Sequence, residues 1–308
     1  TGLTIGMIGL IMFVLSMEAA LNTNISKTFA TKEALGGYNV RVQYSDNNLS
    51  SGIEKDLTTA NAKLPAAERV DVSKIEAVGE TRTVAGDQMT IRNPRATSQE
   101  WKHYILTGAD SGFISSNQLP LAHRAAGYAS DAAIWQAVAS NRDFAIIPDG
   151  LTGGGGFGGA VDDPLTPPSD YVKGGFQPFQ LEVRGSDGKV TDLTVIGQTK
   201  SSAANFWPGI IVSQDNLLSI FPQAQGQEFY LRLAPGVNAG RYAKNVEATL
   251  VATSADSLQK IIDDNQAISR AFLNLFEGFL ALGLIVGIAA LGVIAFRAVV
   301  ERRQQIGM

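Results

Sequence analysis

Apolar and polar positions alternate strictly from Gly37 to Tyr44, with Tyr38, Val40, Val42 and Tyr44 on one side. A period of two predicts a half-buried β-strand. The period then changes: Ile53, Leu57, Ala60 and Leu64 recur at helical spacing, Ser51-Gly-Ile-Glu54 has the form of a capping box, and Pro65 stops the pattern. An extended stretch from about Ile75 to Val84 follows. This β-α-β order predicts a helix laid across a sheet in an α+β unit. Farther on, Asp131 to Ser140 reads as a helix and Phe144 to Ile147 as a buried strand closed by Pro148-Asp-Gly150. Phe179, Leu181 and Val183 alternate with Gln180, Glu182 and Arg184, and Gly185-Ser-Asp-Gly188 turns the chain into Val190 to Ile196, a hairpin. Gly209 to Val212 and Glu228 to Leu233 add short strands, with helices over Gln214 to Ile220 and Ala239 to Ala252.

Both ends of the chain break with this patterning. Phe272 to Phe296 is an apolar run of 25 residues whose one charge, Glu277, lies near its start. As a helix it would span about 37 Å, against about 30 Å of hydrocarbon in a bilayer. Arg297-Ala-Val-Val-Glu301-Arg302-Arg303-Gln-Gln-Ile306-Gly307-Met308 follows at once. A basic cluster at a helix exit places that end in the cytoplasm. Gly2 to Met17 is a second uncharged apolar run. It has no basic residues before it and no clear small-residue cleavage site after it, so it reads as a membrane helix clipped at its cytoplasmic end rather than as a signal peptide, and the chain as a piece of a longer protein. The expected architecture is an α+β extracytoplasmic domain inserted between two transmembrane α-helices. Residues 1–21 form the first helix, 22–253 the outer domain, 254–271 a stalk helix, 272–296 the second span, and 297–308 the start of a cytoplasmic segment.

The stalk rests on its own pattern. Leu258, Ile261, Asn265, Ile268 and Phe272 are spaced by 3, 4, 3 and 4, a short heptad-like seam, with Ser254 and Asp256 placed to cap and charge its start. Leu21, Ile25 and Phe29 carry a similar stripe out of the first helix, so paired stalks would tie membrane helices to the outer domain. Gly283-Leu-Ile-Val-Gly287 and Gly2-Leu-Thr-Ile-Gly6 match the small-xxx-small spacing that lets membrane helices approach closely.

Candidate chemistry is sparse. The net charge of -4 gives no reason to expect a nucleic-acid partner, and the absence of cysteine excludes disulfides, thiolate catalysis and cysteine-ligated metals. Glycines 153 to 156 with Gly158 and Gly159 lack the Lys-Ser/Thr of a phosphate-binding loop, and Asp162-Asp163-Pro164 stands where its helix would begin. The stretch reads as a surface loop, and the two aspartates as a solvated turn without further calcium ligands at loop spacing. His103 and His123 lie 20 residues apart with no spacing that pairs them. There is no Gly-x-Ser-x-Gly elbow and no His-Glu-x-x-His. The pattern argues against an enzyme and gives no cofactor or metal site.

The segment from Gly283 to Met308 resembles the second membrane helix and following segment of MacB/FtsX-type ABC transporter permeases, in which an apolar helix runs into a Glu-Arg-Arg-x-x-Ile-Gly signature. Glu301, Arg302, Arg303, Ile306 and Gly307 match it. Phe144-Ala-Ile-Ile-Pro-Asp149 and Phe206-Trp-Pro-Gly-Ile-Ile-Val-Ser213 are similar to pieces of MacB-like core domains. The resemblance implies a permease subunit in the cell membrane, multi-pass, with a large extracytoplasmic domain and no ATPase site of its own. It further implies a separate cytoplasmic ABC ATPase coupled at Glu301, Arg302, Arg303, Ile306 and Gly307, work as a homodimer or heterodimer, and mechanotransmission that drives export, lipoprotein extraction or hydrolase regulation. Arg302 and Arg303 would also meet anionic lipid headgroups. The competing expectation is a two-span receptor with an extracytoplasmic ligand-binding domain.

Overall fold

The computed structural model describes residues 32–45, 48–84, 88–96, 99–152, 176–200, 207 and 209–264, together with single positions at 16 and between 267 and 296. The chain divides into two compact units, residues 27–261 and residues 1–26 with 262–308.

The first unit is built on one twelve-stranded sheet. Its strands are β1 Val40–Tyr44, β2 Ile75–Val84, β3 Thr90–Arg92, β4 Lys102–His103, β5 Leu106–Ala109, β6 Leu121–Arg124, β7 Phe144–Ile147, β8 Phe179–Arg184, β9 Val190–Thr199, β10 Ile210–Ser213, β11 Gly226–Leu233 and β12 Thr253–Ser257. Among the described residues five α-helices accompany them: α1 Ile53–Asn61, α2 Ser111–Ser116, α3 Asp131–Ser140, α4 Gln214–Ile220 and α5 Ala239–Thr249. The strand order is β12-β1-β11-β2-β5-β10-β7-β9-β8-β3-β4, with β6 on β9. The fold is therefore α+β, as the sequence pattern predicts.

The first four strands of that order form a self-contained piece. β1 pairs antiparallel with both β11 and β12, and β11 pairs antiparallel with β2. Hence β1-α1-β2 and β11-α5-β12 are two split β-α-β units, each receiving a strand of the other between its own pair. One face of this four-stranded part buries Val40, Val42, Phe229, Leu231 and Ala255 against Ile53 and Leu57 of α1 and Tyr242 and Val246 of α5. The period-two and period-3.6 patterns meet here, each supplying one layer.

Everything from β3 to β10 is inserted between β2 and β11. β2 joins the parts: its length pairs with β11, while its last four residues, Thr81 to Val84, also pair with β5 on the other side. In the insertion β10 is parallel to β5 and β7 is parallel to β9, while β8 and β9 form the expected hairpin. α3 packs on β7 and β10, and α4 on β5 and β10.

Local detail departs from the sequence reading at three points. Ser51 does not cap α1. The N-cap is Gly52, and Ser50 accepts the Gly52 N–H and donates to Asp56, which also receives the Tyr44 hydroxyl. Ser50 is buried, with its own N–H bonded to Gln227, so it is held where it can serve the helix start. α5 ends at Thr249 instead of continuing to Ala252, which adopts φ 55 in the turn to β12. Ser254 and Asp256 lie in β12, not in a helix start; Ala255 and Ser257 point inward, and the backbone becomes helical only from 258. Strand pairing with β1 has taken residues that local capping preference assigned to a helix.

Of the second unit, Ser16, residues 262–264 and scattered positions from 267 to 296 are described, and all are helical. Leu275, Phe279, Leu282, Ile285, Ile288, Val293 and Phe296 are exposed there. Among the described residues no helix is long and apolar enough to cross a membrane. The expected first span apart from Ser16, much of the second, and the whole of 297–308 lie outside the described residues.

Candidate functional site

The sheet brings the two routes out of the first unit side by side. Val40, the first residue of β1, pairs with Ser257, the last of β12. The chain thus arrives and departs at the same end of two adjacent strands. Asn39 stands at the join. Its N–H donates to Leu231 O at 2.8 Å and its carbonyl accepts the Leu258 N–H at 2.9 Å. Its side-chain Oδ1 accepts the Leu233 N–H at 2.7 Å. Leu258 is buried, and Ser257 Oγ accepts the Lys260 N–H at 3.4 Å, which starts the helical backbone.

The stretch ahead of β1 is clamped in turn. Tyr38 is 2% exposed, and its ring lies 5.6 Å from Phe113 of α2, 5.8 Å from Tyr230 and 6.3 Å from Trp207. Trp207 Nε1 donates to Ala34 O at 3.0 Å. Arg232 donates from Nε to Gly37 O at 2.9 Å and from Nη2 to Ser116 O, with its guanidinium 5.7 Å from the Tyr38 ring centre. The Tyr38 hydroxyl hydrogen-bonds Ser116 Oγ at 2.8 Å. Burial pushes that phenol up to about 12, only partly offset by Ser116 and by the Arg232 charge. Gly36 and Gly37 carry φ of 63 and 77, and an added Cβ at Gly37 would sit 2.9 Å from Arg232 Nη2. The close approach needs glycine.

A second set of bonds ties the inserted part to the four-stranded part. Glu80 of β2 accepts from Arg82 at 3.0 Å, from Gln214 of α4 at 3.1 Å and from Gln227 of β11 at 2.8 Å. Asp110, next after β5, caps α2 through the Phe113 N–H and also accepts the Glu80 N–H. Burial pushes its carboxyl above the ordinary aspartate range, against the pull of these backbone donors. These groups offer a mechanical join between chain ends, sheet and insertion rather than a reacting centre.

Of the residues singled out in the sequence, Leu258 and Ile261 are helical, the first buried and the second half-buried, and Leu258 alone of the set reaches the join at Asn39. Gly283 and Gly287 are helical, exposed and half-exposed respectively. Ile268, Glu301, Arg302, Arg303, Ile306 and Gly307 lie outside the described residues, as do the glycines from 153 and Asp162 and Asp163. His103 on β4 and His123 on β6 belong to strands that do not pair; His123 stacks on Phe176 with centres 6.3 Å apart. Among the described residues no group of three or more histidine, aspartate or glutamate side chains is arranged to hold a metal. Asn39 and Arg232 carry no signal in the sequence, and Trp207 enters it only within the Phe206–Ser213 segment; the Gly36-Gly37 pair ahead of β1 is the one hint of a tight approach.

No family model matches the sequence, and no curated protein does. Solved structures do. The extracellular domain of the noncanonic ABC-type transporter YknZ from Gram-positive bacteria aligns at 16% identity and a TM-score of 0.35, covering 70% of this chain and 98% of that one. A domain described as belonging to a permease protein of Porphyromonas gingivalis aligns at 9% identity and a TM-score of 0.37, covering 71% and 86%. Both likenesses are distant ones.

Proposed function

We propose that this chain is the outer domain and adjoining helices of an ABC-transporter permease, which passes motion driven by a cytoplasmic ATPase into the outer domain. The observation that carries the reading is the hydrogen-bonded pairing of β1 with β12, sealed at Asn39 and Leu258, so that both chain ends grip one edge of the sheet. A domain held by both its ends at one place follows any displacement of the segments leading there. The sequence supports the rest: an apolar run to Phe296 with Glu277 as its one charge, and the Glu301-Arg302-Arg303-Gln-Gln-Ile306-Gly307 exit. In this reading 272–296 spans the cell membrane, with Gly283 and Gly287 against a neighbouring helix. Arg302 and Arg303 meet headgroups and the acidic surface of the ATPase, and two permease chains work together. The chain itself hydrolyses no ATP.

The test is co-purification of the full-length protein from its native membrane, wild type beside Arg302→Glu/Arg303→Glu, after the variant's topology has been checked by protease protection. An ABC ATPase bound to wild type and lost from the variant is the expected result. Recovery of a kinase in place of an ATPase, or of neither with wild type, refutes the permease reading and turns attention to a two-span receptor.

A further inference from the structure

We propose that the outer domain binds a small polar solute carrying one oxyanion, carboxylate or phosphoryl, in a cavity beside β3 and β8, with Arg184 as its anchor. The cavity has a volume of about 640 Å³ and lies between the start of β3, the β8–β9 turn and the loop from α4 to β11. That volume falls within the range of small-molecule sites. Its lining is polar and carries a single charge. Gln88, Gln223 and Gln225 contribute exposed amides, Met89 and Phe221 a buried apolar floor, and Arg184 is the one ionic side chain, with no carboxylate among the lining residues.

Arg184 is held ready. Its guanidinium lies 4.4 Å from the centre of the Trp101 ring, and its Nε donates to Thr90 Oγ1 at 3.2 Å from the directly opposite position on β3. Arg92, two residues along the same face, also stacks on Trp101 at 4.6 Å but is neutralised by Glu182. Among the described residues Arg184 makes no ion pair, and its Nη groups make no hydrogen bond. Nearby Asp187 is turned to the Lys189 N–H. A guanidinium fixed by stacking and by Nε, with its Nη donors free, is arranged for two-pronged recognition of an oxyanion. The glutamine amides around it suit a ligand that is otherwise neutral and rich in hydrogen-bonding groups.

The experiment uses the full chain in detergent, labelled with 5-fluorotryptophan. The protein has three tryptophans, so three fluorine resonances are expected, and Trp101→Phe assigns the one that matters. Buried Trp135 and Trp207 serve as internal controls. The probes are N-acetyl-alanine, its uncharged amide, and inorganic phosphate. A saturable shift confined to Trp101 is expected with N-acetyl-alanine or phosphate, at least tenfold weaker for the amide and for Arg184→Gln. Tighter binding of phosphate than of carboxylate would assign the site to phosphoryl groups, and the reverse to carboxylates. Should Arg184→Gln move the control resonances, Gln223→Glu, an exposed change that adds a negative charge at the rim, replaces it and is expected to weaken binding tenfold. No saturable shift with either anion, equal binding of the amide, or unchanged binding in the charge variants overturns the proposal.

Discussion

Replacing Gly37 by alanine isolates how tightly the chain is gripped ahead of β1. Two costs are expected. The first is backbone: φ is 77, and a side chain in the left-handed region costs about 1–2 kcal/mol. The second comes from the Cβ, which would stand 2.7 Å from Gln118 Cδ and 2.9 Å from Arg232 Nη2. Both are ends of flexible side chains and will move, but Arg232 then gives up its bonds to Gly37 O and Ser116 O. Hydrogen bonds from a charged donor contribute about 1.5–3 kcal/mol each, and losing the better part of one brings the total to about 3 kcal/mol. Gly236→Ala separates the two. It has φ 83 with nothing within 4 Å of the added Cβ, so only the backbone cost of about 1 kcal/mol applies. Urea unfolding of the full chain, followed by tryptophan fluorescence, gives both values, provided the slopes agree with wild type. Equal losses at the two glycines would refute the clamp, because they would mean that Arg232 contributes nothing where it lies.

Leu57→Ala, at a side chain with 0% exposure beneath α1, is expected to cost about 3 kcal/mol, while Lys55→Ala on the outer face of the same helix stays within about 0.5 kcal/mol; the same urea titration checks both. Tyr38 makes stability depend on alkaline pH. Its folded pKa of about 12 exceeds the reference 10.0, so its contribution is complete below pH 10 and is lost as pH rises through 12, about 3 kcal/mol in all and about 2 kcal/mol of it by pH 12. Tyr38→Phe is expected to lose that much less than wild type when unfolding is measured at pH 9 and pH 12, and equal losses would contradict the assignment.

The elements that the sequence made legible are those whose side chains carry a periodic pattern over five or more residues. β2, α3 and the β8–β9 hairpin fall where alternation or helical spacing placed them. β7, at four residues, was legible instead from its unbroken apolar run and the Pro-Asp-Gly behind it. What was not legible is short or non-local. β3, β4 and β5 run two to four residues, too few for a period to register. β12 reads Thr-Ser-Ala-Asp-Ser, a sequence suited to a helix cap, and is a strand because β1 lies beside it. The join at Asn39 has the same character: its partners Leu231, Leu233 and Leu258 lie far along the chain, and an exposed asparagine just ahead of a strand gives no sign of them. The segment that resembles permeases belongs to a stretch read from its own motif, independent of this pairing.

The order of strands explains why the insertion and the chain ends fall on opposite sides of β2. In two interlocked split β-α-β units the first and last strands are necessarily neighbours, which places arrival and departure together at one margin. The other margin of the four-stranded part is β2, and the further sheet added there leaves that pair undisturbed. The added part is then fastened twice. The ladder continues from β2 to β5. Across it, Glu80 collects amides from α4 and β11, and Tyr38 reaches from the arriving chain to α2. A single shared strand would allow the two parts to twist about β2. Bonds on both sides of it oppose that twist, so the arrangement favours a domain that moves as one body when its ends are displaced, and the far cavity beside Arg184 would be carried with it.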